Sequence, residues 1–349
     1  MIDKYGRNID YLRISLTDRC NLRCIYCMPE EGVKSLSHAE ILTYDEILRI
    51  CRCGAELGIR KIKLTGGEPL VRKGCASLAG QIKAIPGIEK VTLTTNGILL
   101  EEQLDDLLKA GIDAINISLD TLDPELFKKV ARRDGLEKVF EGIEAALAHP
   151  GLSLKINSVP VIKEKENFIG IAGLAQKYPI HVRFIEMMPI GYGAAYTGGS
   201  NEELFRQIEE CYGNASEAGT VRSREGKKYS ADIRDLSYTE EKQQSGKHGA
   251  GPAAYYRFPG LNMDVGFISA MHHKFCRSCN RIRLTSEGYL KLCLCYEKGV
   301  DLRAVLRDPG RKQTLQEVMK EAIFEKPAEH CFEQVSEMTE HNAMVRIGG

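Results

Sequence analysis

The sequence contains no stretch near the roughly 18 consecutive apolar residues that a membrane-spanning helix needs. Its first ten residues lack both an apolar segment and an Arg-rich amphipathic pattern. Neither membrane insertion nor export is expected, and the location expected is cytoplasmic. Net charge is also absent, because 48 Lys and Arg balance 48 Asp and Glu. A protein steered onto nucleic acid would carry a basic excess or interleave basic with aromatic residues, and neither feature is found. Any anion site must therefore be local.

What is present is a chain of 349 residues, 43% hydrophobic and 28% charged, long enough for two domains or for one barrel with an extension. Twelve cysteines are the conspicuous feature. Their clustering in two groups, without an export signal, favours a reducing compartment and metal binding over a disulfide framework.

Six short β-branched and apolar runs alternate with helical patterns: 11–17, 61–67, 90–96, 114–120, 154–161 and 181–188. Thr43 and Glu46 form a capping box ahead of a helix, and Leu136, Val139, Phe140, Ile143 and Leu147 share one helical face. Gly111 stops a helix after Leu107 and Leu108. Strand-helix alternation implies parallel strands with right-handed crossovers. Residues able to do chemistry follow every strand: the first cysteine loop, Gly66-Gly67-Glu68, Thr94-Thr95-Asn96, Ser118 with Asp120, Lys155 with Asn157, and Arg183 with Glu186. Such strand ends converge at the mouth of a barrel. The fold expected is α/β, a partial six-unit β/α TIM-type barrel over residues 1–190, with a smaller C-terminal domain over 191–349. In that second part a polar stretch, 213–252, reads as a loop, and 281–294 reads as a hairpin turning at Glu287-Gly288.

Cys20, Cys24 and Cys27 form a C-x3-C-x2-C run after the first strand. A cubane of four irons needs four ligands, so three thiolates leave one iron open to a bound molecule. Zinc would need a fourth ligand, and no His lies nearer than His38. Cys276, Cys279 and Cys293 form a second group of three. There Cys295, His272 or His273 could complete a zinc site, and spacing alone leaves cluster and zinc evenly balanced. Cys51 and Cys53, two apart on a helix, point to different faces. Cys75, Cys211 and Cys331 read as isolated, buried small hydrophobes.

The first cysteine run, with Tyr26 before its last Cys, resembles the signature of the radical S-adenosylmethionine (SAM) superfamily. Thr65 to Pro69, "TGGEP", extends the resemblance. It implies that SAM chelates the open iron and is met by Tyr26, Gly67, Ser118 and Met188. The second cysteine group with Arg281 and Arg283, and nearly the whole chain beside it, resembles the GTP 3',8-cyclase family of molybdenum cofactor biosynthesis. That resemblance implies a lyase with two 4Fe-4S clusters, on Cys20, Cys24 and Cys27 and on Cys276, Cys279 and Cys293. It implies GTP contacts at Arg13, Lys63, Thr94, Lys155, Arg281 and Arg283, although an Arg is expected where Lys63 stands. It implies a Gly348-Gly349 tail entering the active site. A reducing electron donor, a downstream pterin synthase and, as an option, a homodimer are the partners expected, with no membrane or nucleic acid. The expected reaction is cyclisation of GTP to (8S)-3',8-cyclo-7,8-dihydro-GTP through a 5'-deoxyadenosyl radical. The alternatives are another radical SAM enzyme with an auxiliary cluster, or a zinc-dependent nucleic-acid-binding protein.

Overall fold

The computed structural model describes residues 1–34, 36–162, 164–197, 199–218 and 251–348. Most of the polar 213–252 stretch, and Gly349, lie outside the described residues. Six strands, β1 (Tyr11–Ser15), β2 (Lys61–Thr65), β3 (Lys90–Thr95), β4 (Ala114–Ser118), β5 (Ser153–Ser158) and β6 (His181–Ile185), pair in chain order, all parallel. The helices between them are α1 (Tyr44–Glu56), α2 (Cys75–Lys83), α3 (Leu100–Lys109), α4 (Pro124–Ala131), α5 (Leu136–Leu147) and α6 (Lys165–Lys177), with α7 (Asn201–Tyr212) following β6. Thr43 and Glu46 do form the capping box of α1, satisfying two amide groups that a helix start leaves open. Gly111, at φ +76°, lies just past the end of α3.

The C-terminal half continues this sheet at both sides. The strands β7 (Ser216–Glu217), β8 (Ala254–Arg257) and β9 (Val265–Ile268) extend it beyond β6, with β9 parallel to β6. On the other side β10 (Arg281–Leu284) runs parallel to β1, and β11 (Tyr289–Lys291) and β12 (Gly299–Asp301) complete the edge. The final helices are α8 (Leu302–Arg307), α9 (Leu315–Phe324) and α10 (Met344–Ile347).

Strand alternation sorts the side chains into two faces. Leu12, Ile14, Ile62, Leu64, Val91, Leu93, Ile115, Ile117, Ile156, Val182 and Phe184 are buried in one continuous core. Between them, on the opposite face, stand Arg13, Lys63, Thr92, Thr94, Asn116, Lys155 and Arg183, joined in register from strand to strand. Arg13 and Arg183 are five strands apart, about 24 Å along a flat sheet at 4.8 Å per strand. Their charges nevertheless act on each other. The sheet must curl, bringing this polar face inside as the lumen of a partial barrel.

The hairpin between β10 and β11 turns at Gly288, whose φ is +90° and whose added Cβ would meet Arg303 Cβ at 2.8 Å. Gly288→Ala should therefore lower stability by about 1–3 kcal/mol. Chemical unfolding of the metal-free chain under reducing conditions would show this as an earlier transition; an unshifted transition would mean that the turn relaxes at no cost.

Candidate functional site

The first cysteine loop hangs from the C-terminal end of β1. It is pinned by the loop after β2, where Gly67 N–H donates to Thr17 O at 2.7 Å and Glu68 N–H to Arg19 O at 2.8 Å. A Cβ on Gly67 would sit 2.2 Å from Arg19 O, so only glycine permits this approach. Glu68 is buried and accepts from the Thr95 hydroxyl at 2.7 Å and the Asn96 N–H at 2.7 Å. Burial pushes its carboxyl up to about 7 against those hydrogen bonds. Asn96 then reaches Asn21 Oδ1 at 2.7 Å and Cys20 Sγ at 3.8 Å. Strands β2 and β3 thus fix the loop after β1.

Cys20, Cys24 and Cys27 lie close enough for their charges to oppose one another. Burial raises the Cys20 thiol to about 11 and the Cys27 thiol to about 12. Cations must displace those protons to bind. The Leu22 N–H points at Cys20 Sγ (3.4 Å), and the Val345 N–H, from α10, points at Cys27. Tyr26 donates to Asp120 Oδ2 at 2.7 Å, which links the cysteine loop to the end of β4 beside Ser118. Met188 follows β6, and its carbonyl accepts the Ile190 N–H.

Cys276 and Cys279 precede β10 and Cys293 follows β11, and the charges of Cys279 and Cys293 act on Cys276 and on Arg283. Burial alone would raise the Cys279 thiol, but Lys326, Arg281, the Arg281 N–H and Arg7 outweigh it and bring it down to about 6. The two histidines that could have completed a zinc site face carboxylates instead. His272 Nδ1 lies 3.0 Å from Glu186 and His273 Nε2 lies 3.6 Å from Glu202. Cys295 packs on Cys331, Sγ to Sγ at 3.1 Å, so Cys331 is not isolated. Cys211 is exposed and is not a core residue; Cys51, Cys53 and Cys75 are buried as expected.

Among the described residues no three His, Cys, Asp or Glu side chains converge closely enough to hold one ion. A single zinc needs its sulfurs about 2.3 Å from one centre. Thiolates on a cubane bind separate irons and stand further apart. With His272, His273 and Cys295 engaged elsewhere, each group offers three thiols and no ready fourth ligand, which fits a cluster with an open iron better than it fits zinc.

The inward face of the barrel carries a group of cations. Lys63, Lys155 and Arg183 are buried, while Arg13, Arg281 and Arg283 keep some exposure although walled in by protein. Burial first, then Arg183, Arg13, Lys155 and Arg281, drives Lys63 well below the ordinary lysine value. Burial, Arg183 and Lys90 bring Lys155 down to about 7. Burial, then Arg13 and Arg281, act in the same direction on Arg283. Arg183 joins the group from β6, hydrogen-bonds Tyr255 and leaves its buried Nε without an acceptor. Thr94 lies on the same face, in register with Asn116 and then Lys155. The Gly348 carbonyl accepts from Arg283 Nη1 at 2.6 Å, bringing the C-terminal tail into this space. Gly349 lies outside the described residues.

Of the site residues expected from the sequence, Arg13, Lys63, Lys155, Arg281 and Arg283 act on one another or on the same neighbours, Cys279 and Cys293 act on Arg283, and Tyr26 ties the first cysteine loop to the end of β4. Sequence reasoning left Arg183 without a role, although it shares the alternation that places Lys155 inward. It gave no sign of Arg7, Lys326 or the Val345 amide, which reach the cysteines through long-range packing.

Two family models match the chain: the Radical SAM superfamily over residues 14–171, and Molybdenum Cofactor Synthesis C over residues 212–332. The fold is shared with solved structures, among them the crystal structure of Streptococcus suis SuiB bound to S-adenosylmethionine, at TM-score 0.59 and 16% identity over 97% of this chain and 77% of that one. Fold and first cysteine loop together define a radical SAM protein. Full-length relatives narrow this: GTP 3',8-cyclases of Clostridium perfringens strain SM101, 41% identical, and of Syntrophomonas wolfei, 42% identical, each align over 100% of both chains. The chain belongs to the GTP 3',8-cyclase family.

A polyanion entering the lumen would restore the protons that Lys63 and Lys155 lose through burial and repulsion. With Lys155 near 7, inorganic triphosphate binding at pH 8 should take up about one to two protons. Calorimetry in buffers of different ionisation enthalpy measures this; a binding heat independent of buffer would contradict it.

Proposed function

We propose that this chain cyclises GTP to (8S)-3',8-cyclo-7,8-dihydro-GTP in the first stage of molybdenum cofactor biosynthesis, with SAM and two 4Fe-4S clusters as cofactors. The observation that carries the reading is the group of inward cations, Arg13, Lys63, Lys155, Arg183, Arg281 and Arg283, with Cys279 and Cys293 acting on Arg283 and with the C-terminal tail reaching from Cys27 to Arg283. Cys20, Cys24 and Cys27 would hold the cluster that binds SAM, with Tyr26, Gly67, Ser118 and Met188 around it. Cys276, Cys279 and Cys293 would hold the auxiliary cluster, in the part of the chain from 191 onward.

When bound, SAM and the two clusters would supply one-electron cleavage of SAM, an acceptor for the hydrogen of ribose C3', and the further electron that, with a proton, completes closure onto C8 of guanine. The chain's own part is to bind, orient and exclude water. Arg13, Lys63, Lys155 and Arg183 neutralise a triphosphate, whose charge suits forked guanidinium donors and ammonium groups. Thr94 lies on the same wall. Arg281 and Arg283 anchor the substrate toward the second cysteine group, and Arg281 is itself held over the Phe275 ring at 4.9 Å. Lys63 keeps the charge of the Arg expected there and gives up its bidentate fork.

The test is mass spectrometry of an anaerobic, iron-reconstituted reaction with SAM, dithionite and either GTP or ATP. GTP should give 5'-deoxyadenosine and a product of the same mass as GTP. Cys24→Ser should abolish SAM cleavage, whereas Cys279→Ser should spare the first cluster and lose the cyclised product. SAM cleavage indifferent to GTP would discard this substrate, and cyclised product from Cys279→Ser would refute the second role.

The tail provides an independent check. Its Val345 amide faces Cys27 and its Gly348 carbonyl meets Arg283. Deleting Gly348 and Gly349 should cut turnover severely while iron content stays that of the full chain; undiminished turnover would remove the tail from the mechanism.

A further inference from the structure

Two buried cations stand behind the C-terminal cysteines, outside the lumen. Arg7 is 6% exposed and is fully engaged. Its Nε donates to Asp3 Oδ2 at 2.7 Å, its Nη1 to Cys276 O at 3.0 Å and Ala328 O at 2.8 Å, and its Nη2 to Pro327 O at 2.7 Å and Lys326 O at 3.3 Å. Asp3 neutralises it. Arg7 therefore works as a strut, tying the first cysteine of the group to the segment that carries Lys326.

Lys326 is different. It is 3% exposed, and its ammonium donates to the carbonyl of Leu292, the residue before Cys293. Among the described residues it makes no ion pair with a carboxylate. Burying an ammonium without a counter-charge is costly. The anionic groups that feel its charge are the sulfurs of Cys276 and Cys279. Lys326 thus bonds the backbone beside the third cysteine while its charge acts on the other two.

An oxidised cubane on three thiolates is net anionic, and reduction adds a further negative charge. We propose that Lys326 is the built-in counter-charge of the auxiliary cluster, a positioning residue that holds its ligand loop in place and stabilises the reduced cluster. This rests on reading Cys276, Cys279 and Cys293 as the cluster ligands. The local consequence is a higher reduction potential than the same ligands would give in an uncharged pocket.

The experiment uses the full chain carrying Cys20→Ala, Cys24→Ala and Cys27→Ala, so that any cluster assembled is the auxiliary one. Iron and sulfide are counted after anaerobic reconstitution, and the midpoint potential is read by a redox titration followed by electron paramagnetic resonance. Lys326→Met removes the charge at similar length; Lys326→Arg keeps it. The expected result is a shift to more negative potential, or loss of iron, in Lys326→Met, with Lys326→Arg restoring whichever property was lost. Lys326→Met with full iron and an unshifted potential would overturn the proposal, and so would a Lys326→Arg variant as defective as the Met variant. If the parent protein with Lys326 intact assembles no cluster, the ligand assignment fails instead, which separates the two claims.

Discussion

The mutual repulsion of cations inside the barrel is the constraint around which the rest of the molecule is arranged. Lys63 is driven far from its ordinary ionisation by burial and by Arg183, Arg13, Lys155 and Arg281. Burial first, then Arg13 and Arg281, disfavour the charge of Arg283. Like charges gathered in a low-dielectric space cost free energy that only a continuous surrounding core can offset. That core lies on the opposite face of the same strands, where Leu12, Ile62, Val91, Ile115, Ile156 and Val182 alternate with the inward polar residues. A polyanionic ligand would relieve the repulsion, so the stored electrostatic cost becomes selectivity for a highly charged substrate.

The same strands carry the first cysteine loop at their ends. The loop after β1 cannot hold three cysteines in place alone; Gly67 and Glu68 from β2 and Asn96 from β3 brace it. The chain returns from its far end to complete the cleft, since β10 lies beside β1 and places Arg283 opposite Arg13. The last residues then run from Cys27 to Arg283. This topology explains why residues separated by nearly the whole sequence share one cavity.

Much of this was legible in the sequence, and the limit is physical. Strand periodicity and the capping box at Thr43 are local, and they located the parallel units and α1. Three-cysteine spacing is also local, and it singled out the two thiol groups proposed as ligands. Whether Lys63 faced the lumen or the helices could not be read from alternation, which gives two faces without saying which is inside. The curl of the sheet decides that, and Arg183, placed at a strand end by the sequence, was given no role for the same reason. Cys331, Arg7 and Lys326 depend on contacts between segments dozens to hundreds of residues apart, to which no local pattern points.

The central claim is that one cation-lined cleft holds a nucleoside triphosphate with its ribose toward the SAM-binding loop. It is tested most directly with GTP deuterated at ribose C3', followed by mass spectrometry of the 5'-deoxyadenosine formed. Deuterium in 5'-deoxyadenosine from the 3'-labelled substrate, and its marked loss when Arg283 is replaced by Met, is the result this account predicts. Unlabelled 5'-deoxyadenosine, formed alongside cyclised product, would contradict it.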